Sequence, residues 1–289
     1  MTSFELSSPQ RLGRTVVIGY CDIGAAGIRA LEGLSAGRTG GNTDSADGAA
    51  PIGETQLRET GRESLEFSGM RGVVFNGFPA MEAVHFEADG GGNDDVGEDR
   101  SVTLLKLNTA VSQDLSTSLA MAIVDRLAER GKALKRVVVA AAVQPPKRNQ
   151  AQRPTLSSSS GKVASATVIP SDRVCVFLSP GYRRTENRMP PAGVATLPAS
   201  TRVADSFLTT LIMLCQLEEV PLLMLARVGY RATGGPADVD GTDEAVTELG
   251  LCLAQTVGLE FDAKRACGVS WSKGWKLTRP SQGAVPGYI

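Results

Sequence analysis

The chain has 289 residues, with 30 basic and 31 acidic side chains and a formal net charge of −1. This near-neutral balance argues against a nucleic acid as the main partner, because phosphate binding requires a surplus of basic residues. No segment has the pattern of a secretory signal, and Glu218, Glu219 and Pro221 interrupt the longest apolar region, so we expect no membrane span. The five scattered cysteines are typical of a reducing compartment, which predicts a cytoplasmic location with the nucleus as a second compartment.

The first part of the chain alternates predicted strands with a predicted helix. The β-branched run 15–20 predicts a buried strand, and Asp22 is placed to cap the helix that follows it. Residues 72–76 and 83–88 predict two further strands. In the second of these, apolar and polar residues alternate, which indicates a half-exposed sheet face with His85 on its outer side.

The same alternation continues to the C-terminal third. Residues 102–107 predict a strand, and a long helix begins after Ser112, with an apolar residue at every fourth position from Leu115 to Leu127. Asp205 is expected at a solvated position of a second long helix. The later predicted elements are strands at 136–143, 173–178 and 222–228, that second helix beginning at Ser200 or Thr201, and a last helix capped by Asp240 or Thr242.

Strands that alternate with helices imply a single α/β domain of three layers, with a mostly parallel sheet flanked by helices. Long stretches of low apolar content predict flexible loop insertions at 35–68, 89–100, 144–166 and 181–199. We therefore expect an α/β domain over residues 1–271 that carries these insertions. Residues 272–289 contain prolines, glycines and no apolar periodicity, which predicts a flexible C-terminal tail.

The residues that could carry chemistry do not form a coherent catalytic set. The turn 19–27 joins a strand to a helix as a dinucleotide-binding loop does, but Asp22 stands where that motif requires glycine. Close packing of the helix on the strand explains the small residues equally well. The only histidine is His85, which a histidine-dependent hydrolase would have to use, and we expect it on the surface. The basic segment 179–184 is either a phosphate-binding loop or a plain turn.

The sequence contains no spacing typical of a metal site, so we expect neither a metal nor a cofactor. The cysteines, Cys175 and Cys215 among them, lie mostly within apolar runs and are expected as small buried hydrophobic residues.

The chain ends in Val285-Pro286-Gly287-Tyr288-Ile289. Tyrosine provides a large contact area with few rotatable bonds, which suits an anchor for a pocket on another protein. The carboxylate of Ile289 adds a charge that a lysine or backbone amides could bind. The alternative is a frayed tail without a function.

Three segments together resemble one known family. They are the strand–helix–strand unit at 101–143, the helix, proline junction and apolar strand at 197–229, and the ending Gly287-Tyr288-Ile289. In this order they resemble the proteasome assembly chaperones, most closely the first subunit of the heterodimeric pair. The resemblance implies an α/β sandwich related to nucleoside-phosphorylase-like scaffolds.

The resemblance also implies a function. It implies a non-catalytic chaperone that pairs with a second, related chaperone and promotes assembly of the 20S proteasome α-ring. The tail would dock in pockets of α subunits through Val285, Gly287, Tyr288 and Ile289. Gly287 departs from the family ending, which has a hydrophobic residue at that position. The alternative is a phosphorylase-like or nucleotide-using enzyme on the same scaffold, with residues 19–27 and 179–184 lining its pocket.

Overall fold

The computed structural model describes residues 4–5, 12–20, 25–37, 57–67, 79–88, 101–109, 111–143, 173–185, 194–197, 203, 205–229 and 242–268. Its strands are β1 (Phe4–Glu5), β2 (Thr15–Tyr20), β3 (Leu34–Ser35), β4 (Leu57–Phe67), β5 (Met81–Ala88), β6 (Ser101–Leu107), β7 (Arg136–Val143), β8 (Cys175–Leu178), β9 (Ala195–Thr196), β10 (Leu222–Val228) and β11 (Glu260–Phe261). Its helices are α1 (Ala26–Glu32), α2 (Gln113–Glu129), α3 (Pro180–Thr185), α4 (Ser206–Leu217), α5 (Thr242–Val257) and α6 (Ala263–Gly268), with a single 3-10 turn at Gly131–Ala133.

Nine of the described strands form one sheet in the order β1-β4-β5-β6-β2-β7-β10-β8-β9. The four central strands, β6, β2, β7 and β10, are parallel to one another, and antiparallel pairs flank them on both sides. β11 pairs with β3 in a separate two-stranded ribbon. Long apolar runs form the central strands because both of their faces are covered, which leaves no solvent side for polar residues.

Helices cover the sheet on both sides, so the predicted three-layer α/β fold is confirmed. The apolar stripe of α2, with Leu119, Ile123 and Leu127, packs with α4 against one face of the sheet. α1 and α5 pack against the other face, where Leu31 and Leu249 belong to the core. No helix in the described part of the chain is long and apolar enough to cross a membrane.

The prediction of a loop insertion at 35–68 is wrong over its second half, which forms β4. Thr60 has no partner in the register with β5, because Glu59 pairs with Phe86 and Gly61 with His85. This bulge reverses the alternation of side chains, so Leu57 belongs to the core on the α1/α5 side while Leu65 and Phe67 belong to the core on the other side. A strand with charged residues and a bulge lacks the regular alternation by which strands are recognised in a sequence.

Other predicted boundaries also differ from the structure. The insertion predicted at 181–199 contains most of α3 and all of β9. The second long helix begins at Ser206 rather than at Ser200 or Thr201, because Asp205 is its N-cap and accepts a hydrogen bond from the amide of Leu208. Asp22 is not the cap of α1, whose N-cap position is Ala25. The predicted strand at 72–76, the insertions at 89–100 and 144–166, the tail at 272–289, Cys21 and Asp240 lie outside the described residues.

Candidate interaction surface

Gly19, near the end of β2, serves packing. A Cβ atom on Gly19 would lie 2.8 Å from the side chain of Leu31 and 2.9 Å from the backbone oxygen of Gly27. Gly19 therefore allows α1 to lie directly on the carboxyl end of β2, where a dinucleotide-binding loop would leave room for pyrophosphate. This geometry agrees with the packing interpretation of Gly19.

The segment 179–184 is also used to hold the fold together. The hydroxyl of Ser179 accepts hydrogen bonds from the amides of Leu222 and Tyr182 and donates one to the backbone oxygen of Val220. A Cβ on Gly181 would lie 2.5 Å from the backbone oxygen of Glu219, so α3 rests against the turn between α4 and β10. Ser179 and Gly181 thus join three elements, and both residues are buried.

His85 is buried, which corrects its predicted place on an outer surface. Its Nδ1 lies 3.0 Å from the hydroxyl oxygen of Thr103, and its Nε2 lies 3.2 Å from a carboxylate oxygen of Glu63. When the ring is neutral, donation from Nε2 to Glu63 leaves Nδ1 to accept from Thr103, since an ionised carboxylate only accepts. His85 is 8% exposed and lies between Glu63 on β4 and Thr103 on β6.

The row of hydroxyl, imidazole and carboxylate has the composition of a hydrolase triad, but its hydroxyl cannot meet a substrate. Thr103 is 0% exposed, and its oxygen also accepts a hydrogen bond from the amide of Gly13 at 2.8 Å. A nucleophile needs an approach path for the group that it attacks. The row therefore ties β4, β5 and β6 to the segment before β2.

Three buried cations on the α1/α5 side are paired with carboxylates. Lys106 on β6 donates to Glu32 of α1 at 2.9 Å, and Arg29 of α1 contacts Asp243 of α5. Arg227 on β10 is 1% exposed and donates to Glu248 of α5 at 2.6 Å. These pairs satisfy charges that burial would otherwise penalise strongly, and they join both helices to the sheet.

No group of three or more potential ligand side chains in the described ranges is placed to hold a metal ion. Of the four cysteines in those ranges, none of which forms a disulfide there, Cys175 and Cys215 are buried as predicted, whereas Cys252 and Cys267 are partly exposed.

The most unusual surface in the described part of the chain is the outer side of α4. This helix contains no charged residue, and its outward positions include Met213, 56% exposed, and Leu217, 72% exposed. A helix that is apolar on most sides is normally covered by other protein. We call Met213, Gln216, Leu217, Glu218 and Glu219, all of which are exposed, the α4 surface.

The end of α4 contains two features that are unfavourable for the chain alone. Glu218 and Glu219 place negative charge at the helix C-terminus, where the helix dipole is also negative. Glu219 has φ +53°, a left-handed conformation that ordinarily selects glycine at the end of a helix. Its side chain pairs with Arg184 at 2.9 Å, but both side chains are exposed, so the pair contributes little. Local costs of this kind concentrate at positions that serve a function.

The sequence indicated part of this surface. Glu218 and Glu219 at the end of an apolar helix suggest a contact with a partner, whereas the exposure of Met213 and Leu217 depends on which side of α4 faces the sheet. The tail residues Val285, Gly287, Tyr288 and Ile289 lie outside the described residues, so their predicted role stays a prediction.

Known proteins resemble this chain in their solved structures but not in their sequences. No protein-family model and no curated protein matches the chain. PbaA of Pyrococcus furiosus, an archaeal homolog of proteasome-assembly chaperone, aligns over 95% of this chain and 93% of its own, with a TM-score of 0.54 and 10% identity. Its monoclinic crystal form aligns over 92% and 86%, with a TM-score of 0.52 and 11% identity.

A third structure is less similar. PbaB of the same organism, an archaeal proteasome activator, aligns over 94% of this chain and 95% of its own, with 11% identity and a TM-score of 0.49. At such low identities the comparison with PbaA establishes the fold and nothing further. The chain has the three-layer α/β fold of an archaeal homolog of the proteasome-assembly chaperones.

Proposed function

We propose that this chain is an assembly chaperone that promotes formation of the 20S proteasome α-ring. It acts as a heterodimer with a second, related chaperone and docks its tail in pockets of α subunits. The observation that carries the proposal is the shared fold with PbaA, which extends over 95% of the chain. Fold alone does not determine function, so the individual sites must support the proposal as well.

The described residues support a binding protein more than an enzyme. The two segments that could line a catalytic pocket, around Gly19 and Ser179, are occupied by helix packing and hydrogen bonds. The hydroxyl next to the only histidine is fully buried at Thr103. The exposed apolar residues of the α4 surface suit contact with another protein.

In the proposed complex, Tyr288 is the anchor of the tail. Its ring fills a pocket on an α subunit, and the Ile289 carboxylate pairs with a lysine or with backbone amides there. Val285 and Gly287 lie beside the anchor, and the small Gly287 lets the tail backbone approach the pocket wall closely.

Binding of recombinant α subunits to the purified chain tests the tail. Truncating an anchor tyrosine commonly costs about 2 kcal/mol, so we expect Tyr288→Ala to weaken capture about thirtyfold. Gln282→Ala is the matched control, because it removes a polar side chain from the same tail, and we expect unchanged capture. Equal affinities of the wild type and Tyr288→Ala for every α subunit would refute tail docking.

The enzyme alternative has its own test. We expect no change in melting temperature when nucleosides, inorganic phosphate or nicotinamide cofactors are added to the chain. A ligand at a hundred times its dissociation constant would stabilise the folded state by about 2.7 kcal/mol, which a thermal melt detects. Stabilisation by any of these compounds, followed by measurable turnover, would replace the chaperone proposal with the enzyme.

A further inference from the structure

The α4 surface combines exposed apolar side chains with negative charge. Met213 and Leu217 lie one helical turn apart, and Glu218 and Glu219 follow them directly. Glu219 is paired with Arg184, so two such surfaces facing each other would bring together two Glu218 carboxylates beside two Glu219–Arg184 pairs, which opposes a symmetric contact of α4 with α4. The complementary occupant has large apolar side chains interspersed with basic residues and lacks acidic ones.

The chain itself contains one segment with these properties. Residues 271–279 read Trp-Ser-Lys-Gly-Trp-Lys-Leu-Thr-Arg, with three large apolar residues, three basic residues and no acidic residue. Tryptophan and arginine are enriched among the residues that dominate the binding energy of interfaces. The apolar groups of this segment match Met213 and Leu217, and its positive charge matches Glu218 and Glu219.

Trp271 cannot reach the α4 surface of its own chain. α6 ends at Gly268 next to the N-terminus of α5, where Cys267 Sγ lies 3.8 Å from the backbone oxygen of Asp243. This position is at the carboxyl end of β10 on the α1/α5 side of the sheet, because α5 follows β10. The α4 surface lies on the other side of the sheet and at the amino end of β10.

The separation of these two positions follows from general dimensions. Helix layers on opposite faces of a sheet are about 20 Å apart, and a seven-residue strand is about 20 Å long. The three residues from Gly268 to Trp271 span about 11 Å at most. Contact between Trp271 and the α4 surface therefore requires two copies of the chain.

We propose that residues 271–279 of one copy dock on the α4 surface of a second copy. The tryptophans contact Met213 and Leu217, and the basic side chains face Glu218 and Glu219. This association goes beyond the proposed function and does not depend on it, because it involves neither α subunits nor the last five residues.

Intrinsic fluorescence can test this contact in the purified full-length chain, because the sequence contains two tryptophans, Trp271 and Trp275, both within the segment. We expect the emission maximum to move to shorter wavelength, and acrylamide quenching to fall, as the protein concentration rises. Sedimentation over the same range should show a species of at least twice the monomer mass. Higher salt should weaken the association, since part of it is electrostatic.

A matched pair of substitutions locates the contact. Leu217→Lys places a cation on the α4 surface, and we expect it to weaken the concentration-dependent association about tenfold or more. Leu251→Lys changes another exposed leucine, on α5 at the opposite side of the sheet, and should leave the association unchanged. Circular dichroism establishes that both variants fold.

Three results would overturn the proposal. The first is a monomer at all concentrations with solvent-exposed tryptophans. The second is a monomer with shielded tryptophans, which would place the segment against its own subunit. The third is equal weakening by Leu217→Lys and Leu251→Lys, which would place the contact on another surface. Failure of α-subunit capture would affect only the proposed function, since these measurements contain no α subunit.

Discussion

The buried ion pair between β10 and α5 predicts an asymmetric response to mutation. Arg227 is 1% exposed, whereas the side chain of its partner Glu248 is 30% exposed. Replacing Glu248 with alanine leaves a guanidinium in the core, and among the described residues only Glu244, at 3.6 Å and itself largely exposed, then compensates its charge. Replacing Arg227 with methionine removes the buried charge, and Glu248 can turn to water. We expect Glu248→Ala to destabilise the chain more than Arg227→Met.

The magnitudes follow from the burial of the group that each variant leaves behind. Breaking a buried pair so that one charge stays uncompensated costs about 3 to 5 kcal/mol. Because Glu244 still compensates part of the Arg227 charge, we expect Glu248→Ala to lie at the lower end, about 3 kcal/mol. For a chain of this size that corresponds to a melting temperature lowered by about 6 °C. Arg227→Met should cost about 1 kcal/mol or less, because an apolar side chain of similar length fills the same space.

Urea denaturation followed by circular dichroism gives both free energies of unfolding, and the double variant completes the cycle. The double variant should resemble Arg227→Met, because Glu248 has no buried charge left to neutralise. A loss of stability in Arg227→Met equal to or larger than that in Glu248→Ala would refute the reasoning. It would mean that the paired cation is a net source of stability.

Three further predictions concern packing, capping and thiol reactivity. Gly19→Ala should lower the free energy of unfolding by about 1 to 3 kcal/mol, because the added Cβ overlaps Leu31 and the backbone of Gly27. In the same denaturation assay the control Gly61→Ala should be neutral or slightly stabilising, because its added Cβ has nothing within 4 Å. Burial raises the pKa of Asp205, and the hydrogen bond from the amide of Leu208 only partly offsets this. The folded state therefore holds the proton of this carboxyl more tightly than the unfolded state, and stability is lost as the pH rises through the raised pKa. Asp205→Asn keeps the cap, so its free energy of unfolding should rise relative to that of the wild type between acidic and neutral pH. Asp205→Ala should lose about 1 kcal/mol of stability with the cap. Equal pH profiles of stability for the wild type and Asp205→Asn would contradict this. Burial raises the pKa of the Cys215 thiol to about 12, so mass spectrometry after alkylation at pH 8 should find Cys215 unmodified in the folded chain and modified in urea.

Elements with a strong periodic pattern were predictable from the sequence. The predicted strand at 15–20 coincides with β2, and those at 136–143 and 222–228 coincide with β7 and β10. Their β-branched and apolar residues fit only a position that is covered on both faces. The stripe of α2 was equally informative, because one residue in four must face the sheet over the whole length of a long helix.

The elements that the prediction missed depend on tertiary contacts. β4 contains several charged residues, which are stable in a strand because Arg62 pairs with Glu59 and Glu82, and Glu63 with His85. The alternation around Leu65 and Phe67 was the available signal, but the bulge at Thr60 interrupts it. The buried position of His85 could not be predicted because it requires β4 as a neighbour.

The candidate site was predictable only in part. The apolar composition of α4 and the glutamates at its end are visible in the sequence. The side of the helix that faces outward is not, since apolar residues occur on nearly every side of it. Asp205 was predicted within the helix, whereas it lies at the N-cap, four or five residues after the predicted start at Thr201 or Ser200.

The strand order has a consequence for how the chain is made. β2 lies between β6 and β7, so its two neighbours are separated from it by about 80 and 115 residues of sequence. On a ribosome that adds about 5 to 20 residues per second, residues 15–20 wait several seconds or more before either neighbour has been synthesised. During that interval a β-branched segment with unpaired backbone groups is open to the wrong partners. The hairpin of β4 and β5 forms from neighbouring sequence, so newborn chains acquire an outer part of the sheet before its centre.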